Sequence, residues 1–145
     1  MGIIQTLHSY WAYLALVMLV VAVVNAIMGY FNSKPYIMGK DLRISLFALI
    51  FTHIQLLLGI VLYFTSERFS LWSELGPGGV MSNPLARLLL VEHPFTNILA
   101  IILITIGWSK HKKMESAKGK FGKIAFFYTL GLILILSRIP WDQWL

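Results

Sequence analysis

The chain has no cysteine. That excludes disulfides, thiolate metal sites, Fe–S ligation and covalent attachment of a c-type haem, and it leaves the redox compartment unread. Charge is scarce too. Only 12% of the 145 residues are Asp, Glu, Lys or Arg, against about 25% in a soluble domain. The first apolar run has no basic segment before it and is too long for a signal-peptide core, so it is expected to be a retained helix.

What remains is mostly apolar: 58% of residues are hydrophobic and the mean hydropathy is +0.76. Crossing roughly 30 Å of hydrocarbon takes about 20 apolar residues in a helix. Four runs reach that length, at 6–31, 42–65, 85–109 and 121–139. The expected architecture is all-α, a single domain over 1–145 forming an up-down four-helix bundle in a membrane. The net charge of +6 does not point to nucleic acid, because it is unevenly placed. Nine of twelve Lys and Arg residues sit in two connections: Lys34, Lys40 and Arg43, then Lys110, Lys112, Lys113, Lys118, Lys120 and Lys123. The positive-inside rule puts both connections in the cytoplasm of a bacterial inner membrane, with both termini outside. The expected partner is the lipid bilayer, anionic headgroups included; whether copies associate into an oligomer stays open.

Local signals fill in the connections. Asn83-Pro84 reads as an N-cap followed by proline at the first helical position. Gly76 to Gly79 read as a flexible turn, Pro94 as a kink, Ser109 to Lys120 as a basic loop with a solvated His111, and Trp141 and Trp144 as interfacial anchors. Asn25 is expected to hydrogen-bond to a neighbouring helix.

Histidine within a membrane span marks a functional site by default. Steps of three and four place His93, Asn97, Ala100, Ile104 and Gly107 on one face of the third run. The same steps place His8, Ala12, Ala15, Leu19, Ala22, Ala26 and Gly29 on one face of the first. Two histidines heading small-residue stripes on parallel helices suit a bis-histidine haem b: imidazoles from opposite walls and small side chains against the porphyrin faces. Arg138 or Arg87 would supply a cation near the propionates. Gln5 or Glu92 would orient an imidazole through its other ring nitrogen. Each feature also has a plain structural reading, as interface anchor, packing stripe or snorkelling arginine. His53 lies about 100° round from the Thr52 stripe of the second run. It stands as a polar packing residue, an alternative ligand, or part of a proton or quinone path.

The succession LHSYWAYLAL, HIQLLLGIV and EHPFTNILAI resembles one four-helix half of the haem A synthase group, and more broadly small four-helix b-type cytochromes of bacterial membranes. The resemblance covers about residues 4–107. It implies His8 and His93 as haem ligands near the outer face, with Gln55 and Gly59 on the helix between them. Family members have two such halves and an acidic residue one turn before the first histidine, where this chain has Gln5. What carries over is haem ligation. Electron transfer is the expected role, with a quinol or a respiratory-complex subunit as partner. An accessory or assembly subunit, haem-free or carrying haem, is the alternative.

Overall fold

A computed structural model describes residues 2–144. Helix α1 (Ile3–Phe31) is followed by a π-helical turn (Met38–Leu42) that runs into α2 (Arg43–Thr65). A 3-10 turn (Glu67–Ser70) and two short helices, α3 (Leu71–Ser82) and α4 (Pro84–Arg87), lead to a second π turn (Leu88–Glu92). Then come α5 (His93–Lys113), α6 (Ala117–Ser137) and the short α7 (Trp141–Trp144). Four stretches, Ile3–Phe31, Met38–Thr65, Pro84–Lys113 and Ala117–Ser137, are long and apolar enough to cross a membrane. They form an all-α bundle in which α1 packs on α2 and α6, and α5 packs on α6 and α2. Helices α1 and α5 therefore face each other diagonally across the core.

The small-residue stripes are the buried faces. In α1 the buried positions include Ala15, Leu19, Ala22, Ala26 and Gly29; in α5 they are Ala100, Ile101, Ile104, Gly107 and His111. Small residues let membrane helices approach closely, where packing rather than water drives association. A Cβ on Gly131 of α6 would stand 2.7 Å from Ile104 and 3.2 Å from the Ala100 carbonyl oxygen. One on Gly107 would collide with Phe127. The buried face of α6 is Phe121, Ile124, Tyr128 and Gly131, one residue round from Gly122, Ala125 and Thr129. The larger buried cluster joins α1, α2, α5 and α6, and a smaller one of Val80, Ala86 and Leu90 lies in the segment between α2 and α5. Towards the termini the helices part.

The basic connection is not the loop expected over Ser109 to Lys120. Helix α5 continues to Lys113 and α6 starts at Ala117. Lys110, His111, Lys112 and Lys113 form the last turn of α5, where cations meet the negative end of the helix dipole. Hydropathy ends at Gly107, but helix formation does not need it to go on. Nor is His111 solvated: it is fully buried. The Trp108 carbonyl lies 2.6 Å from its Nδ1 and can only accept, so Nδ1 carries the proton. Nε2 then accepts from the Tyr36 hydroxyl at 2.8 Å. Tyr36 lies between the spans, and burial together with the Asp41 carboxylate pushes its phenol up to about 12, so the hydroxyl stays a donor. Asp41 is itself buried, accepting from Asn25 Nδ2 at 2.9 Å and from the Ile37 N–H at 2.7 Å. Both connected carboxylate oxygens are thereby satisfied, as a buried carboxylate requires.

At the other end, Gly76 to Gly79 are not a flexible turn but part of α3, which breaks at Gly76 (φ 71°, ψ 165°) and resumes at Pro77. Only glycine enters that backbone region without strain, and proline is suited to restart a helix. Asn83 accepts from the N–H groups of Leu85 and Ala86, both at 3.1 Å, and starts α4 as an N-cap. Pro94 sits directly after the π turn Leu88–Glu92. The chain thus accommodates the proline by a local change of helical pitch.

Candidate functional site

Where the helices part, a cavity of about 610 Å³ opens between α1, α2, α5 and the segment that joins α2 to α5. That lies within the ~300–1,000 Å³ range of small-molecule and cofactor sites. His8 and His93 project into it from α1 and α5, their ring centroids 6.3 Å apart and their planes at 84°. The alignment of the two follows from the length of the helices. Helix α5 runs further into the basic end than its apolar stretch does, so His93 stands level with His8 near the opposite end.

The protonation of His93 can be read from its neighbours. Its Nδ1 lies 2.9 Å from the Arg138 carbonyl oxygen, which can only accept. The same nitrogen lies 3.1 Å from Asn97 Nδ2, which can only donate; in the tautomer that donates to the Arg138 carbonyl, Nδ1 carries the proton and Nε2 keeps its lone pair. A ring nitrogen held by a backbone carbonyl while the other stays free is the arrangement found behind metal-ligating histidines. The residue expected to orient the ring was Gln5 or Glu92; the structure instead uses the backbone at the end of α6. Asn97, one turn on, donates from Nδ2 to the His93 carbonyl.

The His8 ring lies against the backbone of α2. A Cβ on Gly59 would come within 3.1 Å of His8 Cε1, so the absence of a side chain at 59 is what admits the imidazole. Gln55, one turn before, donates from Nε2 to the His8 carbonyl at 2.8 Å. Two polar atoms here, His8 Nδ1 and Gln55 Oε1, are buried without a hydrogen-bond partner. Buried polar atoms are nearly always paired, and unpaired ones gather at sites of function. Both Gln55 and Gly59 line the cavity.

The other candidates lie apart. Arg87 Nε is 3.0 Å from Glu92 Oε2 and Arg138 Nε is 3.8 Å from Glu92 Oε1. The carboxylate occupies both arginines, and neither lines the cavity. His53 points elsewhere as well. Its Nδ1 meets the Leu49 carbonyl at 2.7 Å and its Nε2 lies 3.4 Å from Thr105 Oγ1. Its position is that of a polar packing residue between α2 and α5.

Two further contributors, Tyr63 and Arg68, carry no signal in the sequence, and Trp144 has a contact beyond the anchoring role read from it. Tyr63, at the C-terminal end of α2, donates to the Leu90 carbonyl at 2.9 Å and accepts from Trp72 Nε1 at 2.9 Å. Arg68, in the 3-10 turn, lines the cavity and donates to Gln143 Oε1 at 3.3 Å. Trp144 packs on Tyr13 with ring centroids 4.7 Å apart, so the tail is held onto α1.

Among the described residues no group of three or more histidine, aspartate or glutamate side chains gathers to hold a metal ion. The residues do not form a metal centre unaided; two imidazoles are, however, all that a protein contributes to a bis-histidine haem. The 6.3 Å between the two ring centroids, the free Nε2 of His93 and the apolar cavity fit that group. Set beside known protein families, curated proteins and solved structures, the chain matches none.

Proposed function

We propose that the protein is a membrane b-type cytochrome in which His8 and His93 hold one haem b, and that it transfers electrons. The observation that carries this is the facing pair of imidazoles, 6.3 Å apart at the head of the cavity. Haem supplies one-electron redox chemistry when bound. The chain's own residues do the rest: Arg138 and Asn97 fix the His93 ring and backbone, Gly59 admits the His8 ring, and Gln55 ties the His8 backbone to α2. A haem held by both imidazoles would supply electron transfer rather than oxygen chemistry. The resemblance of the histidine-bearing segments to the haem A synthase group supports haem ligation in the same reading. The basic connections support a bacterial inner membrane with both termini and the cavity outside. The electron donor would be a quinol or a respiratory partner subunit.

The test is a reduced-minus-oxidised visible spectrum of the detergent-purified protein beside His8→Ala, His93→Ala and His53→Ala. A sharp b-type α band is expected in the parent and in His53→Ala, and is expected to be lost in the other two. Absence of a band after expression with added haem would overturn the cytochrome reading. Loss with His53→Ala and survival in His8→Ala would replace the ligand pair.

A further inference from the structure

The cavity wall is almost without charge. Among the described residues that line it, Arg68 is the one lysine, arginine, aspartate or glutamate. Its neighbours on the 3-10 turn, Ser66 and Phe69, line the cavity with it, whereas Glu67 does not. The turn is pinned: the Arg68 N–H donates to Ser66 Oγ at 3.2 Å, and the Phe69 N–H to the Ser66 carbonyl at 3.1 Å. The guanidinium has one partner, the neutral amide oxygen of Gln143, which lines the cavity too. Among the described residues Arg68 has no carboxylate within 4.0 Å, while Arg87 and Arg138 share Glu92. One cation without a carboxylate partner among the described residues, at a mostly apolar wall, is a complement to an apolar ligand with an acidic end. A guanidinium matches a carboxylate in shape as well as charge.

We propose that Arg68, assisted by Gln143, receives a carboxylate of the cavity's occupant, which on the cytochrome reading is a haem propionate. The proposal rests on that reading for the identity of the occupant. It moves the role of propionate partner from Arg87 and Arg138, which the sequence suggested, to a residue in the segment between α2 and α5.

The experiment compares binding of protohaem and its dimethyl ester to the purified apo-protein, followed by the rise of the Soret band. It uses the parent, Arg68→Gln, Arg87→Gln and Arg138→Gln. The ester keeps the porphyrin and the iron but has no carboxylate. Hydrogen bonds to charged groups are worth about 1.5–3 kcal/mol, so the parent should prefer protohaem by about tenfold or more. Arg68→Gln should bind both forms alike, while the other two variants keep the preference. Because Arg68 is exposed, its replacement is expected to leave the melting temperature unchanged. If Arg68→Gln still prefers protohaem as the parent does, or if the parent shows no preference, the proposal is overturned while the cytochrome reading stands. If the parent binds neither porphyrin, both are overturned. Preference lost in Arg87→Gln or Arg138→Gln and kept in Arg68→Gln would return the role to the Glu92 pair.

Discussion

Pro94 has no N–H, and in a regular α-helix that N–H would serve the carbonyl of Leu90. The carbonyl is served by the Tyr63 hydroxyl, whose oxygen in turn accepts from the Trp72 indole. One phenol thereby ties three pieces together: the end of α2, the start of α3 and the π turn that precedes His93. Tyr63→Phe keeps the ring and removes both bonds. Leaving a buried carbonyl without a donor costs roughly 1–3 kcal/mol. Thermal unfolding in detergent should show a melting temperature lower by several degrees, and Trp72→Phe added on top should cost much less than it does alone, because the two share the same oxygen. Additive losses would show that the hydroxyl is not the shared node. Nothing in the sequence pairs Tyr63 with Leu90, since the two are 27 residues apart and belong to different helices. The proline, by contrast, announces that some carbonyl nearby will need a donor.

For the helices, the step of three and four found the faces that pack. In α1 and α5 the predicted stripes became the buried faces, and the α5 stripe ran one step further, to His111. In α6 the small residues Gly122, Ala125 and Thr129 lie one position round from the buried face. Its large residues Phe121, Ile124 and Tyr128 fill the core: glycine at 29 makes room for Phe121, while glycine at 107 makes room for Phe127 and glycine at 131 of α6 for Ile104 of α5. Composition within one helix does not tell whether that helix provides the knob or the space. The α5–α6 contact is the place to test this. Gly131→Ala puts a methyl group against Ile104 and the Ala100 carbonyl, and overpacking of this kind costs about 1–3 kcal/mol. Its melting temperature should fall, whereas Gly39→Ala, with open space around its Cβ, should match the parent or exceed it slightly. Equal stability of both variants would mean that α5 and α6 separate without cost.

The whole molecule has two unlike ends. One holds nine of the twelve Lys and Arg residues and a closed polar cluster of Asn25, Asp41, Tyr36 and His111; the other holds the cavity. The charge asymmetry makes an orientation prediction that the lack of native cysteine makes easy to check. A membrane-impermeant maleimide applied to intact spheroplasts should label Glu67→Cys at the cavity end, and label Lys34→Cys at the basic end only after permeabilisation. The reverse pattern would invert the topology and place the cavity in the cytoplasm.

By itself the sequence determined that this is an all-α bundle of four long apolar helices, where those helices lie to within a few residues, and which faces carry small side chains. Those properties follow from hydropathy, periodicity and charge placement along a continuous stretch, so they are local and readable. Tertiary structure alone decided that the helices part at the end opposite the basic connections, and that His8 and His93 meet across the diagonal while His53 does not. It also decided that Arg87 and Arg138 are taken by Glu92, leaving Arg68 at the cavity wall. These depend on which side chains from distant stretches occupy the same space. A carbonyl at 138 behind a histidine at 93, or a glycine at 59 beneath a histidine at 8, leaves no trace in either stretch alone.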